Sequence, residues 1–85
     1  MIAIFANSPF DKETRVDCEM IKINTQKNGE ICILPNYNNS IFDIENAIIE
    51  IINKSNTTKI KINNSAVVTF ENNNFICFGL FEELK

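Results

Sequence analysis

A chain of 85 residues, 45% hydrophobic and 22% charged, fits one globular domain and not a disordered segment. Its formal net charge is -3 and its Lys and Arg residues stand singly, which argues against a surface that neutralises nucleic-acid phosphates. Histidine is absent, no Cys-x-x-Cys pair occurs, and no apolar run approaches the ~20 residues of a membrane helix, so the sequence offers neither a zinc site nor a helical span.

The N-terminus MIAIFANSPF has no positive stretch and no cleavage signal, and reads as the start of the domain without a leader. Ile2 and Ile4 alternate with Ala3 and Phe5, which predicts a first strand. Asn7-Ser8-Pro9 marks a turn. The stretch Ser8 to Asp11 can open one helical turn, but Thr14, Val16 and Cys18 return to strand chemistry. In MIKIN, Ile21 and Ile23 share one face with Lys22 and Asn24 opposite. Asn28-Gly29 then predicts a tight hairpin turn, because both residues tolerate positive φ. EICIL leads out of it and stops at Pro35, which cannot donate to a sheet ladder. A polar cluster runs to Ser40.

Residues 43 to 52, DIENAIIEII, allow two readings. Asp43 can cap a helix in which Ile44, Ile48, Ile51 and Ile52 follow a 3.6-residue period; the same residues can form short strands. Turn signals follow at Asn53 to Thr57, at Asn63 to Ser65 and at Asn72 to Asn74. KIKIN, AVVTFE and FICFGL lie between and after them. About a third of the chain is Ile or Asn, both drawn from AT-rich codons, and the bias favours strands and turns. Many short strands with polar turns predict an all-β fold: a small β-sandwich or flattened barrel of two packed, mainly antiparallel sheets with about 8 to 10 short strands, as one domain over residues 1 to 85.

The three cysteines are odd in number and sit in strand-like runs, where a thiol acts as a small apolar group; a reducing compartment suits them. Without histidine the commonest general base is missing. Ser8, Ser40, Ser55 and Ser65 stand in polar turns without a nucleophile-elbow context, and Gly29 and Gly79 are too few for a phosphate loop. The carboxylates are dispersed. The sequence therefore predicts a non-catalytic, cofactor-free protein that works by binding.

The stretch Gly29-Glu30, Ile33-Leu34-Pro35-Asn36 and Ile41, preceded by Ser8-Pro9 and Val16, resembles the epsilon subunit of the rotary F-type ATP synthase, specifically its N-terminal β-sandwich domain. That family is marked by G-E-x-G-I-L-P-x-H-x-P-L. The segment KIKINNSAVVTFENNNFICFG resembles the strands that follow, and the likeness extends over roughly residues 2 to 80. Cys32 stands where the family has a second glycine, Tyr37 where histidine is usual, and Asn39 where proline is usual. The resemblance implies two short strands with a bend near Glu45-Asn46 in place of a helix. It also implies a central-stalk rotor subunit without chemistry that links the gamma subunit to the membrane c-ring and helps couple proton flow to ATP synthesis. Asn28, Gly29 and Glu30 would meet the ring loops, with Glu30 as the charge partner. Pro35, Asn36, Tyr37 and Phe42 would face gamma, with Tyr37 as the anchor, and Phe10 and Phe42 would contribute an exposed apolar patch. The family's two-helix C-terminal domain is not matched, so inhibition and nucleotide binding by that domain are not expected. The implied location is peripheral and not inserted, and the lack of a presequence favours the cytoplasmic face of a bacterial inner membrane over the matrix side of the mitochondrial inner membrane. An unrelated β-sandwich adaptor would share the fold and the lack of chemistry.

Overall fold

The computed structural model describes residues 1–6, 14–27, 29–54 and 56–84. Among these residues eight strands follow one another: β1 (Ile2–Ala6), β2 (Thr14–Asp17), β3 (Met20–Thr25), β4 (Gly29–Ile33), β5 (Ser40–Glu45), β6 (Ile48–Ile52), β7 (Thr57–Glu71) and β8 (Asn74–Leu84). The described residues contain no helix.

Hydrogen bonding runs β2-β1-β8-β7-β6-β3-β4, with β5 on the second half of β7. All pairs are antiparallel except β1 with β8. The first half of β7 pairs with β6 and with the end of β8; its second half pairs with β5 and with the start of β8. The long β7–β8 hairpin is therefore shared by two layers. One layer is β4-β3-β6 with the first half of β7 and the end of β8. The other is β5 with the second half of β7, the start of β8, β1 and β2. This is the expected two-layered β-sandwich, with the layers joined through one hairpin.

Two features line up where the chain passes between layers. The β7–β8 register is irregular between Ile62 and Ala66. The chain bends at Asn46, whose φ is 46°. The two are clasped: the Asn46 amide donates to the Asn64 carbonyl at 2.8 Å, the Asn64 amide to the Asn46 side chain at 3.3 Å, and the Ile62 amide to the Ala47 carbonyl at 2.8 Å. Asn63-Asn64-Ser65 is thus a bulge inside one long strand, not the strand-ending turn expected from its composition. Asparagine suits it, because Asn64 holds φ 68°.

The choice between helix and strand at 43–52 falls to strand. Ile44, Ile49 and Ile51 turn inward and are buried, whereas Ile48 and Ile52 turn outward, a period of two within each strand. The bend lies at Asn46, as the strand reading required.

The core is one cluster drawn from both layers, including Phe5, Ile21, Ile23, Ile33, Ile49, Ile62, Val68, Phe70 and Phe75. Across the layers, the Phe5 ring on β1 lies 5.6 Å from Phe81 near the end of β8. No buried side-chain N or O atom among the described residues lacks a partner.

Candidate functional site

Thr25 pairs with Gly29, so the connection is residues 26 to 28, one residue longer than the two-residue Asn-Gly turn expected. Gly29 keeps a positive φ of 72° but opens β4, and the Thr25 hydroxyl donates to its carbonyl at 3.1 Å. A positive-φ glycine after a three-residue loop is the bulged hairpin geometry. Asn28, like Ser8, Pro9 and Phe10, lies outside the described residues. Glu30 is exposed and pairs with Asn24. The Cys32 thiol donates to the Glu30 carboxylate at 3.4 Å, and this bond to the carboxylate pushes the thiol pKa upward. Cys32 is exposed, unlike the buried Cys18 and Cys77, so it is not the core thiol that its strand context suggested; all three are free.

Beyond β4, residues 34 to 37 form a turn. The Tyr37 amide donates to the Leu34 carbonyl at 3.1 Å, with Pro35 at the second position and Asn36 at φ 68° in the third. Proline followed by a left-handed residue is type II chemistry. The turn is fixed to the opposite layer: the Asn36 amide donates to the Asn73 Oδ1 at 2.7 Å. The Tyr37 ring meets Phe70 edge-on, with centroids 5.9 Å apart. Asn73 itself lies in the β7–β8 turn with Asn72, both at positive φ, a type I′ pair.

Pro35, Asn36 and Tyr37 are thus gathered in one exposed turn, while Gly29 and Glu30 sit at the other end of β4. Phe42 does not join them in an exposed patch. The even positions of β5 face inward, and Phe42 is half-buried against the core. The exposed residue is its neighbour Ile41, at 74%.

The outer faces of the two layers differ in kind. On the first, cross-strand registers place Cys32, Lys22, Glu50, Lys59 and Leu84 in one row, and Glu30, Asn24, Ile48, Lys61 and Glu82 in the next. Cations and carboxylates lie opposite one another, as a solvated face requires. On the second, one row reads Ile41, Thr69, Ile76, Ile4 and Arg15, and the next Asp43, Val67, Phe78 and Ala6. This face is apolar, and Ile41, Val67 and Phe78 are exposed on it. The signal was present in sequence: Val67-Val68 and the unbroken run from Phe75 to Phe78 place apolar residues on both faces of a strand.

Among the described residues no three His, Cys, Asp or Glu come together as a metal-holding group. No helix among them is long and apolar enough to cross a membrane. No protein-family model matches the chain, and no curated protein matches its sequence.

Proposed function

We propose that this protein is a non-catalytic linking subunit, and that its partners are those of the family it resembles: the gamma subunit and the c-ring of a proton-translocating F-type ATP synthase. The observation that carries the linking role is the position of the two candidate contact sets at opposite ends of β4. Gly29 and Glu30 stand at one end, and Pro35, Asn36 and Tyr37 just past the other. At ~3.3 Å per residue along β4 they are about 15 Å apart. One rigid body can therefore hold two partners at once, which a rotor component must do. The identity of the partners rests on the sequence resemblance. The anchoring of the Leu34–Tyr37 turn through Asn73 and Phe70 supports a preformed contact, since little ordering remains to be done on binding. Glu30 supplies a carboxylate for basic ring loops, and Tyr37 an amphipathic anchor.

The test is affinity capture of the tagged chain from gently solubilised membranes of its native host. Recovery of gamma, c-ring and catalytic head together is expected. Glu30→Lys should then release the ring first, and Tyr37→Ala should weaken gamma. Capture without any ATP synthase subunit would overturn the rotor reading and return the protein to the class of β-sandwich adaptors.

A further inference from the structure

The edge of β5 is the least protected part of the apolar layer. Among the described residues β5 pairs with β7 alone, so alternate N–H and C=O groups along Ser40–Glu45 point away from the sheet. Ile41 on this edge is the most exposed large apolar side chain among the described residues, at 74%. Two clefts flank the same strand. One, of about 390 Å³, is lined by Ile41, Thr69, Phe70 and Glu71 among others; the second, of about 140 Å³, by Thr25, Lys27, Asp43 and Glu45.

The other edges differ. β2 has four residues, β4 presents Glu30 and Cys32, and the end of β8 carries the adjacent carboxylates Glu82 and Glu83. The end of β8 also exposes Leu80 and Leu84, but among the described residues β5 alone combines an exposed aliphatic side chain on a six-residue edge strand with concave ground beside it.

We propose that the β5 edge receives an extended segment of another protein as an added strand, with an apolar residue facing Ile41 and a Lys or Arg facing Asp43. The charge follows from the outward positions of β5, which are Ile41, Asp43 and Glu45. Glu45 already meets Lys27 at 3.6 Å. Asp43 is exposed and forms no ion pair among the described residues, and Lys27, which lines the second cleft with it, is engaged by Glu45. A cationic side chain is therefore matched there. Main-chain bonds supply affinity in such additions, and alternate side chains supply selectivity. A second copy fits less well. The antiparallel registers that keep the outer faces aligned over most of β5 set Asp43 against Asp43, which is repulsive, or Ile41 against Asp43, which gains no favourable pair. The two clefts border the ends of β4, since the second shares Thr25 with the Gly29 end and the first shares Phe70 with the Tyr37 turn, but the β5 edge itself is a different surface and the proposal does not depend on the rotor assignment.

The probe is a capped eight-residue peptide with valine and lysine alternating on one face and threonine on the other. It is titrated into isotope-labelled full-length protein, and amide shifts and hydrogen exchange are followed. Slowed exchange at Ser40 to Glu45 is expected, with at least tenfold weaker binding of the glutamate-for-lysine peptide. Asp43→Lys, at an exposed position, should reverse that preference while leaving the spectrum of the core unchanged. No binding up to millimolar peptide, or shifts centred on β2 or β4, would overturn the proposal. So would a preference that Asp43→Lys leaves alone, because Asp43 would then only guard the edge against pairing. Concentration-dependent dimers protected at β5 would reassign the edge to a second copy.

Discussion

Gly79 and Ala66 face each other in the β7–β8 ladder with no room for a side chain between them. A Cβ on Gly79 would fall 2.6 Å from the Ala66 Cβ and 2.9 Å from the Ser65 carbonyl oxygen. The contact lies at the bulge through which the two layers are joined. Gly79→Ala is expected to cost about 2 kcal/mol or more, because the clash involves backbone as well as a methyl group. Pairing it with Ala66→Gly should restore part of the loss but not all, since the Ser65 carbonyl stays in place. Urea unfolding of the single and double variants measures both. Equal stability of Gly79→Ala and the parent would show that the strands do not approach this closely.

The turn at residues 34 to 37 makes a second prediction through Asn36. Its φ of 68° is open to Gly and Asn and strained for a β-branched residue. Asn36→Gly should leave stability within about 0.5 kcal/mol, while Asn36→Val should cost about 1–2 kcal/mol. Asn73→Ala removes the acceptor of the 2.7 Å bond from the Asn36 amide and places alanine at φ 61°, and the two together should cost about 1 kcal/mol. Thermal melts of the three variants rank these effects. The order Val worst, Ala intermediate and Gly mildest is the expected outcome, and an Asn36→Gly loss as large as that of Asn36→Val would remove the conformational explanation.

The buried thiol of Cys77 links stability to alkaline pH. Burial pushes its pKa from the ordinary 9.0 up to about 12. Between those values the unfolded chain has given up a proton that the native state keeps. The native state therefore binds more protons, and stability falls as pH rises through this window. Below about pH 9 the thiol contributes its full share. Replacement by an apolar residue of similar size, Cys77→Val, should flatten this part of the profile whatever it does to stability at neutral pH. Denaturant midpoints measured from pH 8 to 11 decide it (about 1.4 kcal/mol per pH unit is the limiting slope for one group). Parallel curves for the two proteins would mean that Cys77 ionises without penalty.

Much of this architecture was legible from the pattern of isoleucines. Ile21, Ile23, Ile60 and Ile62 alternate with polar residues, and all four are buried. The asparagine clusters marked changes of direction, and Asn36, Asn46, Asn64, Asn72 and Asn73 do hold positive φ. What composition did not separate was a turn that ends a strand from a bulge that bends one. Asn72 and Asn73 end β7, whereas Asn63 to Ser65 lie inside it, because the distinction is set by the partner strand and the Asn46 clasp. Residues 43 to 52 were ambiguous for a related reason. Ile44, Ile48, Ile51 and Ile52 satisfy a helical period by accident of isoleucine abundance, and the sheet chose between them. Of the candidate site, the turn Pro35 to Tyr37 was readable because proline and asparagine have fixed roles there. Ile41 entered only through the family resemblance and its exposure was not read, since one aliphatic residue beside the inward Phe42 carries no local sign of which faces water.

The charged outer face supplies the last prediction. Glu50 on β6 stands between Lys22 on β3 and Lys59 on β7 in cross-strand register. Directly opposed charges of unlike sign contribute roughly 0.2–1 kcal/mol each, and like charges in the same positions destabilise by comparable amounts. Glu50→Lys turns two attractive neighbours into a row of three cations and should cost about 1 kcal/mol. Glu50→Gln should cost less, because it removes attraction without adding repulsion. Both losses should shrink in high salt, where exposed charges are screened. Stability measured at low and high ionic strength separates this from a packing effect, which salt would leave unchanged. If Glu50→Lys were as stable as the parent at low salt, the alternation of charge would be a feature of solubility alone, and the first layer would owe its order to the isoleucines on its inner face.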